Sequence, residues 1–224
     1  MTPLGDPRPA CHAMLLRLAG RLPDEVLAEE RHWLAIGRLD YIARTVPVAA
    51  VTLDVPLTDA DLAVLRELRD GYRLDGPPLN AVRRHQGEPD MPYRFTPAPP
   101  TRGDANPAGH AVDTLDRAVI GVVGAADGAV DLTRSYRSLP DLPMMPPKRI
   151  YLVRTEPGVE PYLLTLDLQA AMAGHGEPDP QAEVFAADVE LPPYHQSALA
   201  AGAVLWTRPG SPDGTRRENR KPRR

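Results

Sequence analysis

IYLVRTEPGVEPYLLTLDLQAAMAGHGEPDPQAEVFA, residues 150–186, holds the alternation on which the architecture turns. Its opening residues Ile150, Tyr151, Leu152 and Val153 are large and apolar or aromatic, and they form the clearest strand signal in the chain. Leu164, Leu168 and Met172 then recur every fourth residue, Pro161 suits a first helical turn and Gly174 a stop, which predicts a helix over 161–174. Val184 and Phe185 mark a further strand at 182–186. Strand, helix and strand in succession imply a parallel pair joined by a right-handed crossover.

Working outward, residues 130–137 read as a strand that pairs with 150–153 as an antiparallel hairpin, its long loop stiffened by prolines at 140, 143, 146 and 147. Val112, Leu115, Val119 and Val122 or Val123 give a helical face before it, and a proline-opened, alanine-rich helix follows over about 193–205. Residues 108–207 are thus expected to form a three-stranded mixed sheet packed with helices in the order α-β-β-α-β-α.

The N-terminal half reads differently. Apolar residues at helical spacing predict four short helices within 10–72. Met14, Leu15, Leu18 and Leu22 mark the first, ending near Gly20; Pro23, Asp24 and Glu25 open a second that runs to about Ile36. The third, from Leu39, is interrupted by Pro47, which predicts a kink or an end near Thr45; the β-branched run 46–55 leaves a strand open, with helix favoured. The fourth has a clear start, with Thr58 as N-cap, Asp61 three residues on, and Leu57 facing Leu62 as a staple. Alone, such a bundle of about 60 residues buries little surface and needs something to pack on. Eight prolines between residues 73 and 107 make that segment an extended linker, and its aromatic residues Tyr93 and Phe95 suggest that part of it lies against a domain. The class is α+β: a small N-terminal helical bundle (10–72), a proline-rich linker (73–107), the α/β-type unit (108–207) and a disordered basic tail (208–224).

Composition narrows the function classes. One cysteine, Cys11, excludes an intrachain disulfide framework and a cysteine-based zinc cluster, which fits a reducing cytoplasmic setting. No secretion signal or membrane span is expected, because the longest apolar runs, near 118–126 and 198–206, are far short of the roughly 20 residues a spanning helix needs. Two lysines, Lys148 and Lys221, stand against an abundance of arginine, alanine and proline, the usage of a GC-rich bacterial genome. The net charge is −4, yet the last ten residues carry six basic side chains and one acid, a local balance of +5, so the remainder stands at −9. That tail, Arg216, Arg217, Arg220, Lys221, Arg223 and Arg224, is the candidate contact for a partner or for nucleic acid. Acidic residues on the helical bundle oppose its use as a DNA-reading helix-turn-helix.

No constellation assigns a reaction. Cys11 and His12 are neighbours in a helix and point about 100° apart. His175, Glu177 and Asp179 share a turn without a second element to complete a metal site. His195 and Ser197 lack the flanking glycines of a nucleophile elbow. Asp59 and Asp61 are explained by the helix start, Gly121, Gly124 and Gly128 follow a helix where a phosphate loop follows a strand, and Arg102-Gly103-Asp104 is a chance tripeptide. No catalytic, cofactor or metal residue is assigned. The expectation is a non-catalytic interaction or accessory protein, self-assembled or bound to a protein partner. The rivals are a small hydrolase or transferase built from distant residues, with His175, Glu177, Asp179 and His195 as its best candidates, and nucleic-acid association through the tail.

Overall fold

A computed structural model of the chain describes residues 5–75, 79–85, 91–99 and 111–210. Within them the order is α1 (Arg8–Leu18), α2 (Asp24–Ala35), α3 (Leu39–Thr52), α4 (Asp59–Tyr72), β1 (Arg94–Thr96), α5 (Thr114–Ala125), β2 (Ala129–Ser138), β3 (Lys148–Thr155), α6 (Pro161–Gly174), β4 (Gln181–Ala186), α7 (Pro193–Ala201) and β5 (Ala203–Thr207). The class is α+β with a mixed sheet, as the alternation in the sequence predicts. The expected hairpin and crossover are both present: β2 pairs with β3 antiparallel, and β3 with β4 parallel, Ile150 opposite Gln181 and Thr155 opposite Ala186.

The sheet has five strands rather than three. β1 lies inside the proline-rich segment, pairing Arg94, Phe95 and Thr96 with Ser138, Arg137 and Tyr136, and β5 follows α7 and pairs with the first half of β2. Both therefore share one edge of β2, laid end to end along it. The C-terminal helix stops at Ala201 and not near Leu205, because an extended Gly202 turns the chain back: Gly202 sits so close that an added Cβ would lie 2.4 Å from Thr133 Cγ2.

Local chemistry accounts for the helix boundaries. Thr58 accepts from the Asp61 backbone N–H while the Asp61 carboxylate accepts from the Thr58 N–H, so α4 opens on the expected capping box. Asp113 and Asp116 form a second such box on α5. α3 runs through Pro47 to Thr52, so residues 46–52 are helical. An interior proline costs about 3 kcal/mol. Burial of Leu39, Ile42, Ala43, Val46, Pro47 and Ala50 along one stripe outweighs it, since each large aliphatic side chain contributes about 1.5–3 kcal/mol.

The sheet is covered on both faces. Ile150, Leu152 and Phe185 join a core with α1 to α4, Tyr194 and Ala198, whereas Leu132, Tyr151, Val153, Ala182 and Val184 join a second core with α5 and α6. Alternate residues of β3 and β4 thus point to opposite cores, as a strand's period of two requires. The surface on which the helical bundle packs is the sheet of its own chain. Part of the segment between α4 and α5 is tied down as well: Leu57 bridges Arg84, Phe95 is buried, and the Tyr93 hydroxyl donates to Gly20 O at 2.7 Å.

Candidate functional site

Charged side chains are concentrated where the helices meet the sheet. Glu183, on β4, is fully buried and bonds to side chains of α2 and α7. Its carboxylate accepts two bonds from Arg31 Nη2, at 2.5 and 2.6 Å, and lies 3.0 Å from His195 Nε2 on α7. Burial pushes this carboxyl up, and the opposing charges of Arg31 and His195 outweigh it and hold it well below the usual range. Gln181 on the same strand donates to Asp24 O at 3.1 Å, so α2 is held to β4 at two points. His195 is itself fully buried and its ring stands edge-on to Phe185 and Tyr194.

A second network ties α5 to the opposite face. Asp116 accepts from the Tyr151 hydroxyl at 2.6 Å and from Arg134, and Arg149 bridges Tyr151 and Asp113. Burial and the bond to Asp116 both push the Tyr151 phenol up, which keeps it protonated as the donor. A third group joins β2 to the helices: Arg137 donates to Asp24 at 2.6 Å and to the Tyr194 hydroxyl at 3.0 Å, and its guanidinium lies over the Tyr93 ring.

The rival catalytic residues are not brought together. His175 caps the end of α6 with its Nδ1 2.9 Å from Ala171 O; Glu177 pairs with Lys148 at 3.1 Å; Asp179 occupies a left-handed turn at φ 48°. His195 is instead joined to Glu183, which the sequence reading did not single out. An imidazole and a carboxylate do touch, but both are sealed at 0% exposure, and among the described residues the hydrogen bonds of the pair involve Arg31 and no hydroxyl or thiol. Cys11 is buried and burial pushes its thiol up to about 12, while burial draws the His12 imidazole down to about 4. Both are therefore neutral near pH 7. Asp61 serves the capping box and also receives Arg17, whereas Asp59 sits on the surface beside Arg84. Among the described residues no group of three His, Cys, Asp or Glu side chains gathers to hold a metal ion. The tail residues Arg216, Arg217, Arg220, Lys221, Arg223 and Arg224 lie outside the described residues, as does Arg102-Gly103-Asp104.

Two surface features complete the picture. A cleft of about 320 Å³ opens between the end of α1, Thr58, the segment before β1 and the loop before α7. Leu16, Met91, Leu191 and Tyr194 line it, with Arg17 and Arg21 among its polar groups. Elsewhere, the outer side of α3 exposes three apolar side chains, Tyr41, Val48 and Val51, at spacings of seven and three, with the exposed Arg44 between the first two and Leu53, 46% exposed, just past the helix end. The Tyr41 ring is stacked on Trp33 at 4.5 Å and held from the side by Arg38.

Set against protein-family models, curated proteins and solved structures, the chain matches none of them. Among the described residues no helix is long and apolar enough to cross a membrane.

Proposed function

We propose that the chain is a non-catalytic interaction or accessory protein of the cytoplasm, acting within a homo- or hetero-oligomeric protein assembly. The observation that carries this reading is the row of exposed apolar residues on the outer side of α3. Single apolar residues on a surface are ordinary, but Tyr41, Val48 and Val51 share one side of one helix, with Arg44 as the charged residue among them. An exposed helix stripe of this kind is the form in which helix-mediated docking is built, with anchors repeating at helical spacing. The buried ion pairs support the same reading, since the Arg31–Glu183–His195 group ties α2, on which α3 packs, to β4 and α7. Light scattering on the purified full chain tests self-assembly, and affinity capture from host cells tests hetero-assembly. A strict monomer that also retrieves no partner sinks the proposal.

The charge of the last ten residues, +5, favours a second reading in which the tail associates with nucleic acid. Removal of residues 215–224 then abolishes salt-sensitive retention on DNA or RNA, and unchanged retention eliminates the tail as its cause.

A further inference from the structure

The cleft beside α1 has an imbalance of charge at one end. Among the described residues Asp61 is the carboxylate that pairs with Arg17 and acts on Arg21, and its acceptor positions are taken: Oδ1 receives Arg17 Nε at 2.8 Å and Arg17 Nη2 at 2.7 Å, and Oδ2 receives the Thr58 N–H at 3.0 Å and the Thr58 hydroxyl at 2.7 Å. Four donors exhaust what two carboxylate oxygens accept. Arg21, beside them, is half-buried, and its hydrogen bond among the described residues goes to a neutral group, the carbonyl of Pro56. A guanidinium has five N–H donors and cannot lose its charge in a protein, so this one faces the cleft with donors to spare and, among the described residues, with no ion pair of its own. Burial lowers its affinity for its proton, an effect that the charge of Asp61 offsets in part and that of Arg17 adds to. Glu190 is the acid on the cleft's wall; it is exposed on the loop before α7 and forms no ion pair with either arginine.

The rest of the cleft is apolar. Leu16, Met91, Leu191, Pro192 and the Tyr194 ring make its walls, and the polar groups near them are already satisfied: the Tyr93 hydroxyl donates to Gly20 O at 2.7 Å and the Gln196 amide to Leu191 O at 2.7 Å. Its volume falls at the lower end of the range that holds small organic ligands.

We propose that this cleft binds a small amphipathic carboxylate, its apolar body against Leu16, Met91 and Leu191 and its carboxylate paired with Arg21. A planar carboxylate matches the guanidinium's parallel donors, and an apolar wall adjoining a single unpaired cation selects for a ligand with one charged end. None of these residues belongs to α3, so the site stands or falls independently of the docking surface.

Decanoate, titrated calorimetrically into the full chain below its aggregation threshold, tests this, with decanol as the uncharged comparison. The expected result is saturable one-to-one binding of decanoate, with decanol weaker by roughly tenfold or more, the loss of one charge-assisted pair. Arg21→Gln should bring decanoate down to the affinity of decanol, and Arg21→Lys should keep only part of the preference, the charge without the parallel donors. Glu190→Gln, an exposed change that leaves the core intact, should tighten decanoate and leave decanol unchanged. Absence of saturable decanoate binding, equal affinity for the two probes, or a Glu190→Gln chain that tightens both alike would overturn the proposal.

Discussion

Arg31→Met severs the tie between α2 and the sheet while keeping the length and apolar stem of the side chain. Arg31 is 4% exposed and Glu183 0%, so the bond is made almost without water. Among the described residues, the side-chain partner left to Glu183 after the substitution is the imidazole of His195, at 3.0 Å, against the cost of its own burial. Removing one partner of a buried pair costs about 3–5 kcal/mol, a large part of the total stability of a protein this size. The pH dependence should change as well. In the wild type the Glu183 carboxyl is drawn from its ordinary 4.5 to about 2, so its contribution is complete above pH 4.5 and is lost as pH falls toward 2. Without Arg31 burial dominates and the carboxyl rises above its ordinary value, so acidification from neutral pH should relieve part of the damage. Urea unfolding followed by the fluorescence of Trp33 and Trp206 measures both effects. Arg31→Met with Glu183→Gln should cost less than the sum of the two single changes, since the stranded charge is gone. A loss below about 1 kcal/mol in Arg31→Met, or strict additivity in the pair, would refute the reasoning.

Two further outcomes follow from buried groups. Glu30 is sealed between α2 and α3, with the Thr45 hydroxyl bonded to one oxygen, and burial pushes its carboxyl up from 4.5 to about 7. The folded state therefore holds this proton more tightly, and stability is lost as pH rises through 7; relative to Glu30→Gln, the wild type should lose roughly 2–3 kcal/mol between pH 5 and pH 9, and a gap independent of pH would contradict this. Gly20 has φ +73°, and a Cβ there would come 2.6 Å from Tyr194 and 2.9 Å from Tyr93. Gly20→Ala should cost about 2–4 kcal/mol in chemical denaturation, from the left-handed backbone and the crowded rings together, and a neutral result would exclude that packing.

Much of the frame was legible where a local signal and its consequence lie close in sequence. The Thr58 and Asp61 box, the run Ile150–Val153 and the helix over 161–174 carry their own evidence, and the structure places each accordingly. β1 escaped because three residues among prolines show no alternation; it exists only because β2 offers it an edge. β5 was read as the end of a helix because Ala203 to Leu205 suit either state, and the deciding fact, the close approach of Gly202 to Thr133, is made by residues far apart in the chain. Pro47 argued locally against a helix that burial imposes. The Asp113 and Asp116 box lacks the hydrophobic staple that marks the start of α4, since Arg117 stands where α4 has Leu62. The pairing of Arg31 with Glu183 spans 152 residues, and no spacing rule reaches that far. His195 was noted for its neighbours in sequence, whereas its partner lies on another element.

The docking role of α3 is tested most directly by comparing the wild-type chain with Val48→Glu/Val51→Glu in sedimentation velocity, alone and with any partner that co-purifies. Both valines are exposed, at 47% and 44%, so the changes leave the core in place and circular dichroism should be unaltered. The account predicts a defined assembly with wild type that dissociates in the variant. A wild-type chain that sediments as a lone monomer under every condition, or an assembly indifferent to both substitutions, would contradict it.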